Sequence, residues 1–271
     1  MGQAISLSSR QEDKSETGAS PDDGTTQTAE PVTGRSDRDE ERVLIVTGFC
    51  VVVFTLTAMA VGSGVSVNVD REVLLWFRSA EDTANAWGPA WFEEAAAEVT
   101  TLGGYTILSI VVFLTAVSLF LLRRKTAAVF LLSAVVSGSL LSSLAKLFFS
   151  RPRPDLVVHM DLTFTSSFPS AHAMVSTFTW LTLAAIATRF VPRRAMRVFV
   201  VASAVTIAVL VGLSRVYLGV HWPSDVLAGW AFGGAWAGIC WLLANWLGRR
   251  LPRHEEFGNA DARTDTTETA R

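Results

Sequence analysis

Apolar residues in this chain are gathered into long uninterrupted blocks, and the polar residues into the joints between them. Six stretches carry no charged residue: 43–69, 99–122, 126–145, 173–188, 198–214 and 226–248. Each is about 16 to 27 residues long, against the ~20 apolar residues that a helix needs to cross a bilayer core. A soluble α/β enzyme would break its apolar runs into short pieces separated by charges. The pattern predicts an all-α integral membrane protein, a six-transmembrane helix bundle over 43–248. Residues 1–42 and 249–271 contain few large apolar side chains and bury too little surface to offset chain entropy, so both are predicted as disordered tails.

Composition sharpens this picture. Half of the 271 residues are hydrophobic and 18% are charged, against about 25% charged in an average soluble domain. A net charge of −2 offers no basic surface and excludes nucleic acid as a partner. Cys50 and Cys240 lie inside apolar runs and read as small packing residues rather than a disulfide or metal pair.

The basic residues orient the bundle. Arg35, Arg38 and Arg42 precede the first run, and Arg123, Arg124 and Lys125 separate the second from the third. Arg189, Arg193, Arg194 and Arg197 join the fourth and fifth, and Arg249, Arg250 and Arg253 follow the sixth. Positively charged loops stay on the cytoplasmic side, so a multi-pass protein of the cell membrane with both termini cytoplasmic is expected. The outward segments are then 70–98, 146–172 and 215–225. The first holds Trp76, Trp87 and Trp91 among acidic residues, a composition that predicts helices lying in the headgroup zone.

The other two outward segments hold nearly all the polar chemistry. Lys146, Arg153, Ser170, His172, Arg215, His221 and Asp225 fall at the outer ends of runs three to six. A lone lysine or arginine there would read as an interface anchor. Seven such residues together, with cations placed against the charge bias, do not. Pro152 and Pro154 force extended backbone and fix the direction of the neighbouring arginine. Pro169 and Ser170 mark a helix start, where free N–H groups attract anions. Pro223 suits the first turn of the last helix, and a spacing of four brings His221 and Asp225 to one face. Three cations, a hydroxyl and a helix N-terminus suit a phosphate. Two histidines and a carboxylate suit proton transfer and nucleophilic attack, with the carboxylate partner favouring His221 as the attacking group. No carboxylate cluster has metal-ligand spacing, so chemistry without metal or cofactor is expected.

The three segments read Lys-x6-Arg-Pro from Lys146 to Pro154, Pro-Ser-x-His from Pro169 to His172, and Ser-Arg-x5-His-x3-Asp from Ser214 to Asp225. In content and order they resemble the signature of the type 2 phosphatidic acid phosphatase (PAP2) superfamily, in its membrane lipid phosphatase branch. The resemblance implies His221 as a nucleophile forming a phosphohistidine, oriented by Asp225. It implies His172 as the acid for the leaving group and then the base for water. Lys146, Arg153, Ser170 and Arg215 would hold the phosphate. Arg151 stands beside the motif, with a second phosphate or the lipid headgroups as its alternatives. His159 and His254 match no motif and read as solvated loop residues.

The expected function is hydrolysis of a lipid phosphate or diphosphate of the undecaprenyl diphosphate, phosphatidate or phosphatidylglycerophosphate type, at the extracytoplasmic face. The alternatives are a lipid phosphotransferase using the same site and a non-catalytic membrane transporter. Charges in mid-span would favour a transporter, and the six runs contain none. Gly229, Gly233, Gly234 and Gly238 form two Gly-x3-Gly spacings that serve either a homodimer or close packing inside the bundle.

Overall fold

A computed structural model of the chain describes residues 33–155 and 166–250. Among these residues there are eight helices: α1 (Thr33–Gly62), α2 (Ser66–Leu75), α3 (Ala90–Thr101), α4 (Tyr105–Leu121), α5 (Lys125–Phe148), α6 (Ala171–Ala187), α7 (Arg194–Tyr217) and α8 (Pro223–Arg250). Helices α1, α5, α7 and α8 are each long and apolar enough to cross a membrane. Helices α3 and α4 pass that test only as a pair, bent by 45°, and α6 is a shorter apolar helix.

Burial is inverted relative to a water-soluble bundle. Large apolar side chains such as Phe49, Met59, Phe113, Leu121, Leu140 and Phe199 point outward and are more than half exposed. In water, a patch of that extent would drive association; around a membrane bundle it meets acyl chains. The interior uses smaller and more polar groups. Helix α6 is buried continuously from Ala173 to Thr179, and α5, α7 and α8 pack around it. Its hydroxyls are largely self-satisfied: Thr177 donates to the Ala173 carbonyl at 2.6 Å and Thr182 to the Phe178 carbonyl at 2.6 Å.

The two glycine pairs of α8 are spent on neighbours within the chain. A methyl group on Gly229 would lie 2.8 Å from the Ser170 carbonyl oxygen, and one on Gly233 would lie 2.7 Å from that of Met174. On another face, a methyl group on Gly234 would lie 3.0 Å from Cys50 Sγ and one on Gly238 would overlap the Thr47 side chain, both on α1. One pair seats α6 and the other seats α1. Trp236 and Trp230 pack beside them, their indole N–H groups donating to the carbonyls of Ala134 and Ala208 at 2.9 Å.

Four boundaries differ from the sequence reading. Residues 33–42, expected to be disordered, continue α1, where Asp39 pairs with Arg42 at 3.7 Å and Glu40 with Arg249 at 2.7 Å. Extending an existing helix avoids the nucleation penalty, so a charged segment can be carried. Arg249 and Arg250 likewise belong to α8 rather than to the C-terminal tail. The first apolar run is cut at Gly62, with Gly64 at φ +77° turning the chain into α2. The second run breaks at Gly103, where a Cβ would overlap Val211 Cγ1 at 2.3 Å; the close approach of α7 requires a glycine there. His159 and His254, and most of both tails, lie outside the described residues.

Contacts at one end of the bundle join its basic clusters. Arg249 meets Glu40, Arg189 donates to Asn245 Oδ1 at 3.2 Å, and the Arg124 guanidinium lies 5.9 Å from the Phe190 ring centre. The ends of α5 and α7 and the starts of α6 and α8 lie together at the opposite end.

Candidate active site

Four chain turns at that opposite end carry the seven residues. Helix α5 stops after Lys146, with Phe149 already extended, and the following Arg-Pro repeat cannot re-enter a helix. The chain returns through Ser166 and Ser167, where the Ser167 N–H donates to the Arg151 carbonyl at 2.9 Å. A cis Phe168–Pro169 bond precedes Ser170, the N-cap residue of α6. Gly219, at φ +70°, ends α7 and turns the chain so that the His221 N–H faces the Arg215 carbonyl at 3.3 Å. Helix α8 then begins at Pro223, its ring suited to the first helical position. The Ser170 N–H donates to the Asp225 carbonyl at 3.0 Å and locks the starts of α6 and α8 together.

All seven sequence-derived residues come to this end. His221 and Asp225 are buried, at 2% and 0% exposure, while Lys146, Arg153, His172 and Arg215 are half-buried around them. Lys146 Nζ donates to the Ser166 carbonyl at 3.0 Å, Arg153 Nη1 to the Val220 carbonyl at 3.1 Å, and Arg215 Nη1 to Thr100 Oγ1 at 3.3 Å. Each of these contacts is to a loop carbonyl or a hydroxyl oxygen. Ser170 caps α6 by position only: its buried Oγ has no hydrogen-bond partner among the described residues. A buried hydroxyl without a partner is costly, and the N-terminus of α6 beside it favours an acceptor anion.

His221 precedes α8 rather than sitting in its first turn, yet still reaches Asp225. Its Nδ1 is 3.4 Å from Asp225 Oδ2 and 3.3 Å from Ser167 Oγ, and Ser167 Oγ donates to the same carboxylate oxygen at 2.5 Å. The Trp222 N–H adds a third contact to Oδ2 at 3.0 Å. Burial pushes the imidazole down from its ordinary 6.5 to about 4; contact with Asp225 opposes this, and Arg215 and Arg153 add to it. At neutral pH the ring is therefore neutral. With Nδ1 turned to Asp225 and Ser167, its Nε2 lone pair is the one left for a nucleophile.

Arg151 is engaged by a carboxylate on each arm of its guanidinium. Its Nη1 donates to Asp225 Oδ1 at 2.6 Å and its Nη2 to Asp70 Oδ2 at 2.6 Å, with only 11% of the side chain exposed. Asp70, on α2, also accepts from the Ser224 N–H at 2.8 Å and from Ser224 Oγ at 2.6 Å. Sequence reasoning missed Asp70, Ser167 and Ser224. Asp70 sits at the edge of an apolar run and Ser167 three residues before a cap, and neither position marks a partner far along the chain. Among the described residues, no group of three or more His, Cys, Asp or Glu side chains is arranged to hold a metal ion.

The model of the PAP2 superfamily matches residues 127–249. Phosphatidylglycerophosphatase B of Bacillus subtilis (strain 168) is 32% identical over 148 residues, 53% of this chain and 70% of that protein. An undecaprenyl-diphosphatase of Sulfolobus acidocaldarius is 31% identical over 124 residues, 44% of this chain and 56% of that protein. The crystal structure of a transmembrane PAP2-type phosphatidylglycerolphosphate phosphatase from Bacillus subtilis superposes with a TM-score of 0.61 at 23% identity, covering 78% of this chain and 98% of that one. The fold is shared.

Proposed function

This chain belongs to the PAP2 superfamily, and from that premise we propose that it hydrolyses a lipid-borne phosphate ester or diphosphate through a phosphohistidine on His221. It is a membrane-embedded phosphoric ester or diphosphate hydrolase, and the finer reading concerns how it acts and on what. One observation carries that reading: a buried His221 backed by Asp225, at the end of the bundle that also holds Lys146, Arg153, Arg215 and the hydroxyl of Ser170, which has no hydrogen-bond partner among the described residues.

In the first step the His221 Nε2 lone pair attacks phosphorus while the bond to the leaving oxygen breaks, and His172 gives that oxygen a proton. The ring keeps its Nδ1–H and becomes cationic, facing the Asp225 carboxylate. In the second step His172 takes a proton from water, the water oxygen attacks phosphorus, and the P–N bond breaks to restore His221. Lys146, Arg153 and Arg215 balance the charge spread over the equatorial oxygens, with Ser170 and the α6 N-terminus donating hydrogen bonds. Lysine supplies a compact charge and the arginines a planar fork.

The site end of the bundle faces the extracytoplasmic side, because the basic clusters gather at the other end. The chain crosses six times, through α1, the bent α3–α4 pair, α5, α6, α7 and α8. Helix α6 is 17 residues long, about 25 Å at 1.5 Å per residue, near the thickness of the hydrocarbon core. Trp76, Trp87 and Trp91, more than half exposed around α2 and α3, mark the headgroup level. A site at that level lets the lipid tail stay in the bilayer while its phosphate enters. Undecaprenyl diphosphate is the substrate favoured, within a wider range of lipid phosphates.

The test is phosphate release by purified protein in detergent, with undecaprenyl diphosphate, phosphatidylglycerophosphate and phosphatidate assayed separately in EDTA. Turnover is expected without added metal, abolished in His221→Ala and strongly reduced in His172→Ala. Full activity in His221→Ala would overturn the mechanism. Phosphate appearing on an added lipid alcohol instead of in solution would make the protein a phosphotransferase.

A further inference from the structure

The Asp225 carboxylate is fully buried, and a buried charge without a counter-ion is strongly disfavoured. The three cations of the site are tethered elsewhere, to Ser166, Val220 and Thr100. The ion pair that Asp225 does make is with Arg151, through Oδ1, leaving Oδ2 for Ser167, Trp222 N–H and His221. Arg151 alone would neutralise Asp225 and leave little negative charge to face a cationic imidazole. The other arm of the guanidinium, however, is held by Asp70. Two carboxylates and one guanidinium give the trio of Asp70, Arg151 and Asp225 a formal charge of −1.

Resting on the reading of His221 as nucleophile and Asp225 as its partner, we propose that Asp70 and Arg151 are positioning residues of the reaction: Arg151 fixes the rotamer of Asp225, and Asp70 returns to the assembly the negative charge that Arg151 removes. The ring turns cationic when Nε2 bonds to phosphorus and Nδ1 keeps its proton, and the surplus charge is then matched. Asp70 also accepts the Ser224 N–H, the first N–H of α8 because Pro223 has none, so the same carboxylate fixes the turn that carries Asp225. Leu74, one turn after Asp70, is buried with Ala173, Val216 and Val226 and clamps α2 against the site. The first outward helix thus completes the catalytic assembly from 154 residues away in sequence.

The charged groups around His221 are Asp225 from α8, Arg215 from α7, Arg153 from the segment after α5, and His172 from α6, with Lys146 acting on Asp225. Asp70 and Arg151 reach the ring through Asp225, so their removal should act with opposite signs. Asp70→Asn keeps the size and an acceptor for Ser224 but removes a negative charge. It is expected to lower kcat about tenfold, as loss of an outer partner of a catalytic imidazole does, with KM within about twofold. The acid limb of kcat/KM should move to lower pH. Arg151→Gln removes the positive charge and should move that limb to higher pH, by about half a unit or more. Arg151→Lys keeps the charge without the fork, so kcat should fall with the limb unmoved.

Farnesyl diphosphate serves as a water-soluble probe for these measurements on the full chain in detergent, with thermal unfolding of each variant run in parallel. Limbs moving in opposite directions support the assignment. A wild-type kcat and unmoved limb in Asp70→Asn, or limbs moving the same way, overturn it. If Arg151→Gln does not fold, the Asp70→Asn and Arg151→Lys arms decide. Retained turnover in His221→Ala would bring down the underlying reading instead. An inactive His221→Ala beside an Asp70→Asn enzyme indistinguishable from wild type would remove only the roles of Asp70 and Arg151.

Discussion

The Asp225 carbonyl accepts the Ser170 N–H at 3.0 Å, so the starts of α6 and α8 are joined backbone to backbone. Short of a proline at position 170, no substitution removes that bond directly, and it is otherwise broken by moving a helix. The weak point is Gly229, whose added methyl would lie 2.8 Å from the Ser170 carbonyl and from Ala173 Cβ.

Gly229→Ala is therefore expected to push α8 from α6, costing about 1–3 kcal/mol of stability and separating His221 from the phosphate-binding groups. Phosphate release and thermal unfolding should fall together. Gly248→Ala, with nothing within 4 Å of the added carbon, is the matched control and should leave both unchanged.

Two serines three residues apart should behave differently. Ser167→Ala removes a donor to Asp225 and a neighbour of His221 Nδ1, so kcat should fall about tenfold with KM little changed. Ser170→Ala breaks no hydrogen bond among the described residues, so thermal stability should hold or rise while substrate affinity drops. Steady-state kinetics and melting curves on both variants separate the two roles. A Ser170→Ala protein that loses stability but not affinity would contradict the assignment.

The pH behaviour of His221 has a defined sign. Its folded pKa, about 4, lies below the ordinary 6.5, so between these values the unfolded chain binds a proton that the folded chain does not. Its contribution to stability is fully present above 6.5 and is lost as pH falls towards 4. The neutral nucleophile persists over the same range, so the acid limb of kcat/KM should lie well below 6.5. In His221→Ala the fall of stability across that window should be shallower. An acid limb at 6.5 or above would show that the ring is not shielded in this way.

Sidedness is open to direct labelling. In a Cys50→Ser, Cys240→Ser background, a cysteine at the exposed Glu81 should react with a membrane-impermeant maleimide in intact cells. One at the exposed Thr126, beside the Arg123–Lys125 turn, should react only after lysis. The reverse pattern would turn the bundle over.

The fold was legible wherever the signal was local. Uncharged blocks near bilayer length gave the long helices, because the cost of burying charge in lipid leaves no other reading. Pro223 and the Pro169–Ser170 pair marked the starts of α8 and α6, because ring geometry and capping act within one turn. Breaks inside apolar runs were harder to see. At Gly62–Gly64 and Gly103, hydrophobicity continues across the interruption while the backbone does not. Residues 33–42 misled in the opposite sense, since composition alone could not show Arg249 meeting Glu40.

By itself the sequence determined a membrane helix bundle and the seven residues at its polar end, since both follow from residue type and short spacing. Only the tertiary structure decided what surrounds His221 and Asp225. The partners of Asp225 lie 74 residues away at Arg151 and 58 away at Ser167, and Asp70 lies 81 residues from Arg151. It also decided that the Gly-x3-Gly faces of α8 receive α6 and α1 of the same chain. A buried charge or a missing Cβ has meaning only through what packs against it, and that is set by how distant helices meet.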